Sequence, residues 1–323
     1  MNPTYDYTCD GGGNLISASS PILDIAANLD PAIDMVVSGH THQPYTCNVK
    51  DPAGQPRLLT SASSFGRLFT ETNLTYDRRT QDIVRASVTG TNMLVTRDVP
   101  KDPRETALIN QYKELVRPIA SKVIGKITAD VTRSPNPAGE TPLGDLIADA
   151  QLADPSTETG GQKPVIAFMN PGGIRADLTY ANSSYGEMPG DVTFDEAFTV
   201  QPFNNYLVSM TLTGQDIYNL LAQQVTGSNA AGAKVLQVSK GFQYTLGASG
   251  AVDGSVKVNG VAIDKAATYR IVTNNFLSDG GDGFPAFTKG TGKYFGGLDI
   301  DAFANYLPTV SPYAPAVPSR VTR

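Results

Sequence analysis

Residues 165–175 read Val-Ile-Ala-Phe-Met-Asn-Pro-Gly-Gly-Ile-Arg. The first five residues form a continuous apolar run, which is typical of a buried strand, and this run ends at an Asn-Pro-Gly-Gly turn. Helix signals lie on either side, because Thr141-Pro142 fits the start of a helix and Thr213-Gly214-Gln215-Asp216 resembles a capping box. Further strands are predicted over 234–246, 254–259 and 269–275. Residues 124–323 are therefore predicted to form a mixed α/β domain.

The N-terminal part of the chain is predicted to form a separate domain. Residues 1–98 read as a partial α/β domain whose elements are a short helix and four strands, over 22–29, 34–38, 57–62, 67–76 and 82–89. From Arg104 to Val123 the apolar residues recur with a period of 3.6, which predicts a helix that Pro118 should kink or shorten. Residues 99–123 are thus predicted to connect the two domains.

The composition excludes several classes of protein. Of the 323 residues, 40% are hydrophobic and 17% are charged, which is too apolar for a disordered chain. The formal net charge of −6 argues against a nucleic-acid polymer as partner, since binding to phosphates requires a basic surface. No apolar run approaches the roughly 20 residues that span a bilayer, and no signal peptide is visible at the N-terminus.

The chain has two histidines, His40 and His42, which lie two residues apart after an apolar strand. Alternate residues of an extended segment point to opposite sides, so the two imidazoles can share a site where the chain bends, and Gly39 gives that freedom. Two imidazoles on a strand-end loop suit a divalent transition metal. The alternative is a pair of exposed loop histidines without a ligand.

Five segments together resemble a known family. Val36–His42 is similar to the last metal-binding motif of the calcineurin-like metallophosphatases. The segments 139–150, 170–175, 201–205 and 275–284 resemble, in order, the motifs of the 5′-nucleotidase C-terminal domain. The resemblance implies the C-terminal part of a metallophosphatase α/β sandwich, joined by a helix to a mixed α/β 5′-nucleotidase C-terminal domain.

The resemblance implies a hydrolase of nucleotide phosphomonoesters, acting in nucleotide catabolism. In that family His40 and His42 would each ligate one of two divalent metal ions, such as zinc or manganese. The remaining ligand motifs are absent, so the chain resembles an N-terminally truncated member and is expected to be inactive alone. The alternatives are a 2′,3′-cyclic-nucleotide phosphodiesterase with 3′-nucleotidase activity, and a non-catalytic nucleoside-binding module.

The resemblance also implies a binding site for a nucleotide or nucleoside. Phe203 and Phe276 match the aromatic residues that clamp the base. Asn205 matches a position that contacts the base in some relatives, and Asp282 matches the residue that accepts hydrogen bonds from the ribose hydroxyls. The phosphate-side residues that match are Asn170, Gly172, Gly173 and Arg175. Without the motifs, the two phenylalanines would be interpreted as core residues and the Asn-Pro-Gly-Gly segment as a type II turn. Arg175 would then be interpreted as a solvated charge and Asp282 as a turn residue.

The arginine that many relatives carry before the helix at Thr141 has no match in register, and Arg133 is the nearest. Phosphate contact is therefore expected from Arg175, alone or with a displaced Arg133. Family members are commonly exported, which implies a secreted, periplasmic or cell-surface protein. Cys9 and Cys47 are then expected to form a disulfide, with two buried thiols as the alternative. Oligomeric state, metal identity and base preference are left open.

Overall fold

The computed structural model describes residues 21–323, which divide into two compact units. The first unit ends at Thr106 and the second begins at Ala107, so the boundary falls inside helix α2 (Pro103–Ala120). The second unit contains both helices and sheets throughout, which confirms the predicted mixed α/β class. Among the described residues, no helix is both long enough and apolar enough to cross a membrane.

The first unit is built around a three-stranded sheet of order β1-β3-β2. Strand β1 runs parallel to β3, and β2 runs antiparallel to it. Its helix and strands are α1 Pro21–Asn28, β1 Met35–Val37, β2 Pro44–Lys50, β3 Pro56–Ala62, β4 Leu68–Asn73, β5 Tyr76–Asp77, β6 Asp82–Ile83 and β7 Thr89–Leu94. The small core of this unit packs α1 against β2 and β3 through Ala26, Tyr45, Cys47 and Leu59. Cys9, the predicted partner of Cys47, lies outside the described residues.

The strands predicted over 34–38 and 57–62 are confirmed as β1 and β3, but the strand predicted over 82–89 is wrong. Within it, Asp82–Ile83 pairs with Tyr76–Asp77, a 3₁₀ turn at Arg85–Ser87 follows, and Thr89 already belongs to β7. The turn directs Arg85 toward Asp34, whose Oδ1 accepts from Arg85 Nε at 2.6 Å. Long-range pairing of Arg85 therefore overrides the β-propensity of the segment.

The second unit has a central five-stranded sheet of order β12-β9-β17-β11-β18 and a smaller sheet of order β14-β13-β15-β16, to which β19 adds. Strands β9 and β17 are parallel, whereas β11 is antiparallel to both β17 and β18. Beyond α2, its helices and strands are β8 Val123–Lys126, α3 Pro142–Ala153, β9 Ile166–Met169, β10 Asp191–Thr193, α4 Phe194–Val200, β11 Tyr206–Thr213, α5 Gly214–Gln223, β12 Gln237–Val238, β13 Phe242–Gly247, β14 Gly250–Ala251, β15 Lys257–Val258, β16 Val261–Ala262, β17 Thr268–Asn274, α6 Asn275–Ser278, β18 Thr291–Leu298, α7 Asp299–Tyr306 and β19 Val321–Thr322.

The central sheet is covered on both faces. Small side chains of α3 and α7, Ala148 and Ala302, pack on Ala167 and Val272 of one face. On the other face, Phe168, Met210 and Ile271 form the larger core with α5 and the smaller sheet. Because β9 is buried on both faces, its sequence is continuously apolar, as is typical of a central parallel strand.

The predicted helix starts are confirmed. Thr141 Oγ1 accepts from Gly144 N at 2.9 Å at the start of α3, and Thr213 with Asp216 forms the capping box of α5. The single strand predicted over 234–246 is wrong, since Gly241 adopts φ +88° in a turn that separates β12 from β13. Helix α2 contains Pro118 and ends two residues after it, at Ala120, so it is shorter than the periodic segment 104–123, as predicted from Pro118.

A cluster that we call the C-terminal clasp ties the end of the second unit to α3. Arg320 donates to both carboxylate oxygens of Asp149, at 2.7 and 2.8 Å. The buried carboxylate of Glu140 accepts from the backbone N–H groups of Arg320 and Val321, at 2.9 and 3.0 Å. Asp145 Oδ2 lies 3.5 Å from Arg320 Nε. One guanidinium therefore stands among three carboxylates.

The clasp makes stability depend on pH. Burial raises the pKa of Asp145 from 3.8 to about 8, opposed by the charge of Arg320 and reinforced by Glu140. The folded chain then holds a proton that the unfolded chain releases, so the free energy of unfolding falls as pH rises from about 4 to about 8. We expect Asp145→Asn to flatten this slope in urea unfolding, and the exposed Asp253→Asn to retain it. A slope identical in wild type and Asp145→Asn would contradict the assignment.

Candidate functional site

The predicted binding residues of the second unit come together at one edge of the central sheet. Because β9 and β17 are parallel, their carboxyl ends meet at this edge, and the antiparallel β11 begins there. Loops that leave or enter these three strands thus converge, as at the carboxyl ends of other parallel strands. The residues, which we call the strand-end site, are Asn170, Gly172, Gly173, Arg175, Phe203, Asn205, Phe276 and Asp282.

Two buried amides fix the carboxylate of Asp282. Asn274 Nδ2 donates to Asn170 Oδ1 at 3.0 Å, and Asn170 Nδ2 donates to Asp282 Oδ2 at 2.8 Å. Asn274 also caps α6, since its Oδ1 accepts from Leu277 N at 2.9 Å. Both amides are almost fully buried, so water does not compete for their hydrogen bonds and they hold a single arrangement.

The backbone of Asp282 is left-handed, with φ +56°, which is uncommon for a residue with a side chain. Contacts around the residue hold this conformation. Asn229 Nδ2 donates to the Asp282 carbonyl at 3.0 Å, and Lys234 Nζ lies 2.7 Å from Asp282 Oδ1. Such strained positions persist where neighbours over-determine them, and they concentrate at functional sites. The carboxylate is partly exposed and can accept further hydrogen bonds.

The two loop glycines have different roles. Pro171–Gly173 forms a 3₁₀ turn in which neither glycine is left-handed, so the type II turn considered from the sequence is wrong. A Cβ on Gly173 would lie 2.5 Å from Met169 Cε and 3.1 Å from Asn170 Oδ1, so a side chain here would require the flexible end of Met169 to shift. A Cβ on Gly172 would lie 3.5 Å from Asp282 Oδ2, an ordinary contact. Gly172 therefore leaves its backbone open beside the Asp282 carboxylate.

The two candidate base-clamping aromatics lie at the surface. Phe203 is 53% exposed, and Phe276 on α6 is 37% exposed, so neither is a core residue. A Cβ on Gly281 would lie 2.7 Å from the Phe276 ring, so the Gly281 backbone packs against one side of that ring. The Arg175 guanidinium lies 5.7 Å from the Phe203 ring centroid, and Arg175 Nη1 donates to Gly172 O at 3.0 Å. Arg175 thus joins the aromatic and glycine parts of the site.

Asn205 is engaged within the fold. Its Nδ2 donates to Asp299 Oδ2 at 3.2 Å, and its carbonyl accepts from Asp299 N at 2.8 Å. Burial raises the pKa of Asp299 to about 6, with the hydrogen bond from Asn205 acting in the opposite direction. This pair ties the entry of β11 to the start of α7. The base contact predicted for Asn205 stays a prediction.

Arg133 is the arginine nearest to the start of α3, and it is out of register with the arginine that the family resemblance implies. Its backbone N–H donates to Asp177 Oδ1 at 2.7 Å, and its Nη1 donates to the carbonyl of Ile174 at 3.1 Å. Arg133 lines a cleft of about 360 Å³ together with Pro171 and Ile174, so it borders the same loop as Arg175. Spacing from Thr141 could not reveal this position, because a side chain from a distant part of the sequence fixes it.

The two histidines lie in the first unit, on the loop after β1. Both are exposed, with left-handed φ values of 69° for His40 and 60° for His42. The His42 ring meets Phe65 edge-on at 5.4 Å, and Ser63 Oγ donates to His42 O at 3.2 Å. Among residues 21–323, no group of three or more His, Cys, Asp or Glu side chains is placed to hold a metal ion. These two imidazoles alone do not provide the ligands of a two-metal centre.

A comparison with protein families identifies the part of the chain that carries the strand-end site. The family model for the 5′-nucleotidase C-terminal domain matches residues 123–289, more than half of the chain. The chain belongs to this family. The match includes all residues of the strand-end site and ends before Arg320 of the C-terminal clasp.

Individual relatives extend the similarity to most of the chain. A cell wall protein of Listeria monocytogenes is 32% identical over 87% of the chain, and the trifunctional nucleotide phosphoesterase protein YfkN of Bacillus subtilis is 29% identical over 85%. The crystal structure of a 5′-nucleotidase precursor from Thermus thermophilus superimposes with a TM-score of 0.64, at 27% identity, over 93% of the chain. The chain spans 36%, 19% and 61% of these proteins, respectively.

Proposed function

We propose that the 5′-nucleotidase C-terminal domain of this chain binds nucleosides and nucleotides at the strand-end site, as the substrate-recognition part of a hydrolase of nucleotide phosphomonoesters. One observation carries the proposal: exposed aromatic rings, a fixed carboxylate and arginines converge on one sheet edge. Each group suits a different part of a nucleotide. The relative from Thermus thermophilus, a 5′-nucleotidase precursor, supports the same function.

The parts of the ligand are assigned by chemistry. The base would stack on Phe203 and Phe276, because aromatic rings stack on any base and discriminate little between bases. The ribose hydroxyls would donate to Asp282, whose carboxylate the buried amides orient. A phosphate would accept from Arg175 and Arg133, whose planar guanidinium groups match phosphate oxygens.

The activity proposed for the complete enzyme is hydrolysis at a centre of two divalent ions, such as zinc or manganese. His40 and His42 would each contribute an imidazole to it. Because the described residues do not supply the other ligands, no step of the reaction is assigned to them. For the chain by itself, nucleoside binding without catalysis is the proposal. A surface or exported location is proposed from the Listeria relative, which is a cell wall protein.

Replacing Asp282 tests the ribose assignment. Asparagine tolerates left-handed backbone, so Asp282→Asn keeps the fold while it removes the charge. We expect adenosine to bind this variant about 10- to 100-fold more weakly by isothermal titration, because hydrogen bonds to a charged acceptor are strong. Binding of 2′,3′-dideoxyadenosine should change far less.

Asp279→Asn is the matched control, since Asp279 lies in the same loop and is exposed. It should bind adenosine as the wild type does. Equal losses of adenosine and dideoxyadenosine in Asp282→Asn, or no adenosine binding by the wild type, would reject the proposed function.

A further inference from the structure

Lys234 is a basic residue beside the strand-end site that the proposed function does not use. Its Nζ lies 2.7 Å from Asp282 Oδ1, and its side chain is 42% exposed. Its backbone N–H donates to Gln224 O at 3.0 Å, which holds the segment before β12. The neighbouring Asn229 donates to the Asp282 carbonyl. The ammonium is therefore anchored beside the carboxylate at the surface.

The contacts leave part of the ammonium free to bind a ligand. An ammonium has three N–H donors, and within residues 21–323 its hydrogen bond goes to Asp282. Asp282 Oδ2 is occupied by Asn170, so Lys234 and a ribose hydroxyl would share the same side of the carboxylate. The Lys234 ammonium balances the negative charge of the Asp282 carboxylate, so an anionic group beside this pair meets a cation as well as the carboxylate.

We propose that Lys234 is a specificity-determining residue that favours nucleotides with a phosphate on the 2′ or 3′ oxygen of the ribose. The inference rests on the proposed function, in which Asp282 accepts the ribose hydroxyls. A phosphate attached to one of those oxygens then lies next to the ammonium. It also lies next to the Asp282 carboxylate, so without Lys234 it would be repelled. A 5′-phosphate, on the opposite side of the sugar, would depend on the arginines.

The test compares three ligands on the full chain by isothermal titration at low ionic strength. The readout is the ratio of the dissociation constants of adenosine and 3′-AMP, which removes any general effect of a variant on the site. In the wild type we expect 3′-AMP to bind about 3- to 10-fold more tightly than adenosine. In Lys234→Met the ratio should fall to about one or below, while the ratio of adenosine to 5′-AMP stays as in the wild type.

Two further variants complete the design. Lys234→Arg should retain the preference for 3′-AMP, because it keeps the charge. Lys163→Met is the matched control: Lys163 pairs with Glu158 at 2.7 Å but precedes β9, at the opposite edge of the sheet. Its ratio should equal that of the wild type.

A 3′-AMP preference that is absent from the wild type, or that survives in Lys234→Met, would overturn the inference while adenosine binding still supports the proposed function. An equal loss of 3′-AMP and 5′-AMP binding in Lys234→Met would overturn it as well. Absence of adenosine binding to the wild type would reject the proposed function and this inference together.

Discussion

Replacing Phe276 by alanine is expected to weaken adenosine binding by roughly 5- to 150-fold, because stacking of one base on an aromatic ring contributes about 1–3 kcal/mol. Phe276 is held on the first turn of α6 and packs against Gly281, so its ring is in place before a ligand arrives. Phe203→Ala should weaken binding in the same range. Isothermal titration of each variant measures the effect.

Phe69→Ala is the control for these aromatic substitutions. Phe69 is 50% exposed, like Phe203, but lies on β4 of the first unit. It should leave adenosine binding unchanged. If Phe276→Ala and Phe69→Ala bind adenosine equally well, the base does not stack where we propose.

Arg320→Met is expected to destabilise the second unit by about 3 kcal/mol, close to the range for breaking a buried ion pair. The substitution removes the guanidinium that pairs with both carboxylate oxygens of Asp149 and lies 3.5 Å from Asp145, and it leaves the Asp149 carboxylate on α3 without its cation. Calorimetry should find the melting transition of this unit lowered by roughly 6–12 °C.

The exposed Arg117 is the matched control, since its contact with Glu114 at 3.5 Å is an ordinary surface ion pair. Exposed pairs contribute little, so Arg117→Met should melt close to the wild type. If Arg320→Met and Arg117→Met had the same melting temperature, the C-terminal clasp would not contribute to the stability of the second unit.

Local signals at strand ends indicate, from the sequence, the loops that carry the candidate site. The apolar run 165–169 and the strand over 269–275 each lead into a polar, glycine-containing segment, and the structure brings both segments to one edge. Helix starts at Thr141 and Thr213 were equally predictable, because a cap involves residues three apart. These features depend on residues that are close in the sequence, so a local sequence pattern can predict them.

The residues that the sequence did not reveal depend on distant partners. The side chain that positions Arg133 lies 44 residues away, Asp282 lies 48 residues from Lys234, and Asp149 lies 171 residues from Arg320. The error over 82–89 has the same origin, since the segment after Ile83 turns so that Arg85 can reach Asp34. No local pattern encodes such pairings.

The hydrogen bonds of Asn274 have a consequence for engineering. Through one side chain, Asn274 caps the helix that carries Phe276 and, by way of Asn170, holds Asp282. For the proposed binding mode we therefore expect the free energies of base and sugar recognition to be non-additive, as for residues that share a hydrogen-bond network. A variant selected for a new base preference would also bind the sugar with altered affinity, so the two preferences would have to be optimised together.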